Sequence, residues 1–162
     1  KEHLDTAELS LSQGWTEMAC AALALASHAA QARGDRASSG RAWHQCRDAM
    51  ESWPMNRPGE RCGILVDAVG DPLVAVQVLS ALAEVLVDGV EEDHSRAPII
   101  REIISRASEQ ASRCVSPPQG AVESLARVEE RIAPYGRGRG GRRRPGSTTT
   151  ITTDGQAAAG GK

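Results

Sequence analysis

Apolar residues recur along most of this chain at intervals of three and four, the period of a helix that buries one face. Leu11, Trp15, Met18, Ala22, Leu25 and Ala29 follow spacings of 4, 3, 4, 3 and 4. They predict one long helix opening near Asp5, where Asp5-Thr-Ala-Glu8 reads as a capping box. Arg33-Gly-Asp-Arg36 ends it, with Gly34 as the natural stop. Ala19, Ala26 and Ala30 keep another face small, so a second element can approach closely there.

Ser38 or Ser39 is expected to cap a second helix reaching Trp53, with Trp43, Cys46, Met50 and Trp53 as its stripe. Arg47–Glu51 and His44–Asp48 are expected as i,i+4 pairs on its wetter side. Pro54 and Pro58 mark a loop, and a short apolar helix over 60–69 ends at Gly70. Asp71-Pro72 is the clearest start in the chain. The aspartate can cap, and proline at the first helical position gives up no needed hydrogen bond. That helix runs to Asp88 and stops at Gly89. Its polar residues Gln77, Ser80, Glu84 and Asp88 make one narrow strip. The rest of its circumference is apolar, so it should be the most buried helix. The valines at 74, 76 and 78 also admit a strand over 74–78.

A helix over 95–114 carries Ile99, Ile100, Ile103, Ile104, Ala107, Ala111 and Cys114. A last one over 119–133 carries Ala121, Leu125, Val128 and Ile132, with Glu123–Arg127 as a supporting pair, and Pro134 stops it. The expected fold is all-α: a compact bundle of five to six short helices over residues 1–133, followed by a disordered tail over 134–162. The segment 17–53 resembles a single tetratricopeptide unit, but the unit does not recur, and solenoids need several.

Charge sharpens the division at Pro134. Residues 134–162 carry six basic residues and one acid, a net +5; residues 1–133 carry 13 basic and 20 acidic, a net −7. Such asymmetry points to a folded part and a charged tail with separate tasks. The tail opens Tyr135-Gly-Arg-Gly-Arg-Gly-Gly-Arg-Arg-Arg. Its guanidinium groups, Arg137, Arg139, Arg142, Arg143 and Arg144, can grip phosphates or stack on bases of a nucleic acid, or meet an acidic protein or membrane surface, and the glycines let the backbone conform. The body contains no Phe, so aliphatic side chains must fill the core.

Candidate chemistry is sparse. His44, Cys46 and Cys62 could supply metal ligands, but no close cysteine pair frames a zinc site, and residues 44 and 46 of one helix point apart. No metal or cofactor is therefore expected. Cys20, Cys46, Cys62 and Cys114 stand 26, 16 and 52 residues apart and read as separate buried thiols in a reducing compartment. No Gly-x-Ser-x-Gly elbow and no glycine-rich phosphate loop occurs, and Glu91-Glu-Asp93 lacks the ligand alternation of a calcium loop. An enzyme whose site goes unannounced would need His44, Asp48 or Glu84 in a shared cleft. Arg33-Gly34-Asp35 falls at a helix end, where it is ordinary punctuation. The most apolar stretch, 73–87, is short of the ~20 residues a membrane span requires. The Ala-rich segment 18–32 has the look of a signal h-region but follows an acidic lead, and reads as a helix of the body.

The functional expectation is a non-catalytic helical module for protein–protein interaction, adaptor or regulatory in kind, or for self-association, in the cytoplasm. The alternative is a nucleic-acid-associated protein that makes non-specific phosphate contact through the Arg/Gly tail.

Overall fold

The computed structural model describes residues 2–12 and 15–135, of residues 11 and 12 the backbone only. The described residues form seven α-helices and one short 3-10 turn, with no strand. The helices are α1 (Glu2–Ser12), α2 (Thr16–Ala32), α3 (Arg36–Met50), α4 (Pro58–Val69), α5 (Pro72–Val87), α6 (Arg96–Ala111) and α7 (Gln119–Ile132). The turn Ala133–Tyr135 follows α7 directly. The all-α expectation holds, and the alternative strand over 74–78 is helix. The tail arginines Arg137, Arg139, Arg142, Arg143 and Arg144 lie outside the described residues.

The helix count exceeds the expected five to six because the long first helix is two. α1 ends at Ser12 and α2 begins at Thr16. Trp15 donates its backbone N–H to the Ser10 carbonyl at 2.8 Å, closing α1, and α1 packs back along α2. The expected capping box therefore does not form: Asp5 lies inside α1, which starts at Glu2.

Two helical hairpins organise the core. The first, α2–α3, turns within three residues. Asp35 N–H reaches the Ala30 carbonyl at 2.9 Å while Gly34 sits at φ 80°, a left-handed conformation that glycine enters without steric cost. Asp35 then caps α3 by accepting from Ser38 N–H at 3.1 Å. The cap expected at Ser38 or Ser39 thus falls to the aspartate of the turn itself. The second hairpin, α5–α6, starts as expected. Asp71 accepts from Leu73 N–H at 3.0 Å, and Pro72 takes the first helical position. The α5 C-terminus is closed by Arg96, which donates to the Leu86 carbonyl at 2.9 Å, a cation where the helix dipole is negative. α4 packs on α2, α5 and α6, so it joins the hairpins, and α7 covers α5.

One apolar cluster runs from Ala7 to Ile132. Met50, Leu65, Leu79, Leu82, Leu86, Ile100, Ile103 and Ile132 are fully buried. At about 1.5–3 kcal/mol for each large aliphatic side chain, these dominate the driving force. As expected, α5 is the most buried helix and α6 lays its isoleucine face on it. The face of α2 differs from expectation. Trp15 is 53 % exposed and Met18 is exposed, whereas Ala19, Cys20, Leu23, Ala24, Ser27 and Ala30 are buried. With α1, α3 and α4 all packed on α2, small side chains that permit close approach decide its orientation. No helix among the described residues is long and apolar enough to cross a membrane.

Candidate functional site

The site grows from the polar strip of α5. α3 and α7 stand on either side of that strip, and both pack on α5. The space between them, roofed at one end by α2, is a cleft of about 860 Å³. This lies within the range of pockets that hold small molecules or short peptide segments.

Gln77, Ser80, Ala81 and Glu84 make the floor. Ser80 is 4 % exposed and donates to the Ala121 carbonyl of α7 at 3.2 Å. Glu84 ties three helices together. It accepts from Arg47 of α3 at 3.1 Å and from the Ser124 hydroxyl of α7, and Arg127 lies 4.0 Å away. The pairs expected within single helices, Arg47–Glu51 and Glu123–Arg127, are replaced by this arrangement. A half-buried carboxylate between two helices offers each cation a less hydrated partner than an exposed neighbour on its own helix does. Glu123 accepts instead from Gln119 at 3.2 Å.

The walls come from α2 and α3. Ser27 donates to the Ser39 carbonyl at 2.9 Å, with the two hydroxyl oxygens 3.0 Å apart. Trp43 is partly buried and gives one wall an aromatic face. Gly40 and Gly120 border the cleft, and a Cβ at either would meet nothing within 4 Å. Arg36 stands at the rim and makes no ion pair among the described residues. Arg36 and Arg47 against Glu84 leave the lining with an excess of positive charge inside an acidic body.

Ser27 and Ser39 bond each other, and Ser124 bonds a carboxylate held by arginine, which is a weak base for a hydroxyl. His28 lines the same cleft without a hydrogen bond to any of these serines among the described residues. Of the three residues an unannounced enzyme would need together, Glu84 alone is in the cleft. His44 and Asp48 form their expected pair at 3.8 Å on the exposed face of α3.

The possible metal ligands are likewise dispersed. His44 points to solvent, Cys62 is buried in α4, and Cys46 is buried against Cys20 of α2. Among the described residues, no group of three or more His, Cys, Asp or Glu is placed to hold a metal ion. Burial pushes the Cys62 thiol up to about 12.

Sequence reasoning read the four cysteines as separate, and the Cys20–Cys46 contact corrects it. The signal was present: both cysteines are thirteen residues from Arg33, and Ser27 and Ser39 are each six from it. Residues equidistant from a tight helical turn face each other across the hairpin. No protein-family model matches the chain, and neither a curated protein nor a solved structure matches it.

Proposed function

We propose that this protein is a non-catalytic recognition module that holds a short segment of a partner protein in the cleft between α2, α3, α5 and α7. The carrying observation is the composition of that cleft. An aromatic wall (Trp43) and small alanines (Ala24, Ala81 and Ala121) offer apolar contact. Arg36 at the rim, without an ion pair among the described residues, offers a cation to a carboxylate. Ser80 and Glu84 of the floor are bonded to α7 and α3, which fixes the helices on either side of the cleft. Amphipathic segments dock in such grooves through one apolar anchor and a few placed polar contacts. The charge balance of the lining favours a segment with acidic residues.

The test uses the vacancy beside Gly40. Peptides selected from a random display library on the full chain are measured against wild type, Gly40→Leu and Arg36→Glu. Filling the cleft at position 40 should weaken the selected peptides at least tenfold. Reversing the rim charge should do the same for acidic ones. Selected peptides that bind Gly40→Leu as tightly as wild type would place recognition elsewhere and end this reading.

A further inference from the structure

We propose that Cys20 and Cys46 are the two halves of a disulfide that fastens α3 to α2. Both residues are completely buried at the hairpin interface. The Cys46 thiol is directed at the Cys20 carbonyl, 3.4 Å away, and the Cys20 thiol at the Cys46 carbonyl, 3.9 Å away. Each thiol thus lies against the other cysteine's backbone, which brings the two side chains together across the hairpin as a disulfide needs. The register is fixed independently. Seven residues along each helix, two turns away and on the same faces, Ser27 and Ser39 meet with their oxygens 3.0 Å apart. The other two cysteines have no such partner: Cys62 is alone in α4, and the Cys114 thiol donates to the Gln110 carbonyl of its own helix at 3.5 Å.

The bond is made while the hairpin is open. In the closed fold, hydrogen bonding to Cys46 and burial raise the Cys20 thiol far above its ordinary range, and the thiolate is the reacting species. In an open hairpin, one cysteine thiolate attacks a small-molecule disulfide such as oxidised glutathione and expels one glutathione thiolate. The second cysteine thiolate then attacks the protein sulfur of the mixed disulfide and expels the other glutathione. Two electrons pass from the cysteine pair to glutathione disulfide, and the two thiol protons end on the released glutathione. Closure of the hairpin buries the new bond away from reductant. Because α2 and α3 carry Ser27, Ser39 and Trp43, the same bond sets the distance between two walls of the cleft.

The experiment refolds full-length protein from urea in a glutathione/glutathione-disulfide buffer, as wild type and as Cys62→Ala/Cys114→Ala. Trapped thiols are alkylated, the product is digested without reduction, and its urea unfolding is followed with and without dithiothreitol. The expected product is a linked peptide pair containing Cys20 and Cys46. Its unfolding constant should be roughly a hundredfold smaller than that of the reduced protein. Dithiothreitol added to the unfolded state should abolish the difference. Recovery of Cys20 and Cys46 of the double variant as separate glutathione adducts or alkylated thiols overturns the proposal. So does a cross-linked product that unfolds more easily than the reduced one, because strain would then show that the two residues are not in disulfide register. The double variant separates failure of this pair from competition by the other two thiols.

Discussion

Single residues in this fold act through backbone conformation and capping, and identical substitutions reverse sign with position. Gly70 ends α4 at φ 72°, a conformation that costs a side-chain-bearing residue about 1–2 kcal/mol. Gly40 lies inside α3, and a Cβ there meets nothing within 4 Å. Gly70→Ala should therefore destabilise by about 1 kcal/mol, and Gly40→Ala should stabilise by ~0.5–1 kcal/mol. Urea unfolding of the two variants checks both signs, and matching signs would contradict the assigned backbone.

Gly34 and Gly70 were legible as stops because only glycine suits the turn. The cap at Asp35 was not, because it stands in the stop signal Arg33-Gly-Asp-Arg36, and a hairpin this tight makes one residue serve both turn and cap. Hydrogen bonds from the Ser38 side chain, and then its backbone amide, hold the Asp35 carboxyl below the ordinary carboxylate range. A carboxyl depressed in the folded state stabilises above its unfolded pKa, and that contribution is lost as pH falls through the folded value. Asp93, bonded by Ser95, and Glu91, bonded by Arg131, act in the same direction. Stability should thus be steady from neutral pH down to the ordinary carboxylate range and decline below it. Asp35→Asn keeps a capping acceptor and removes one titration, so its urea midpoint should fall less steeply with acid. Parallel curves for the two proteins would assign the acid sensitivity elsewhere.

At the scale of elements, α2 shows why helices can be read from a sequence while their orientation cannot. The three-four period located the helix correctly. It placed Ala22 and the close-approach face of Ala19 and Ala30 correctly but put Trp15 and Met18 in the core by hydrophobicity, whereas α2 is turned by the small residues that let three helices close on it. The same turn buries Glu17, whose carboxylate pairs with Arg61 of α4. Neither residue carried a sequence signal, since they lie 44 positions apart and only the meeting of α2 with α4 joins them. Arg61 also holds the Asn56 side chain at 2.8 Å, so the pair secures the loop before α4 as well as the helix contact. Glu17→Ala leaves a largely buried guanidinium without its counter-charge and should cost about 3 kcal/mol. Trp15→Ala, at the exposed start of the same helix, should cost under ~1 kcal/mol. Thermal unfolding of the two variants ranks them. A larger loss at Trp15 would mean that the side of α2 facing the core has been misplaced.

For the whole molecule, the decisive features are where open space and charge end up. The cleft could not be read from any one segment, because it is the gap between α3 and α7 across α5 and depends on the relative placement of four helices. The division of charge at Pro134 is plain in the sequence. Tyr135 lies against His94, ring centres 4.6 Å apart, beside the turn where Arg131 reaches Asp88 and Glu91 at 3.2 Å each. The five arginines at 137–144 follow in sequence, outside the described residues. Truncation after Tyr135 keeps every described element and removes all five. If the tail contacts phosphates, full-length protein should bind duplex DNA with a log–log salt slope of about −4.5, the release expected for five neutralised phosphates, and the truncated chain should not bind. Equal binding by both chains would move the contact to the body, where Arg36 and Arg47 of the cleft become the first residues to reverse. No binding by either chain at low salt would leave the arginines without a phosphate partner, and the partner-protein reading of the cleft would then stand without its nucleic-acid rival.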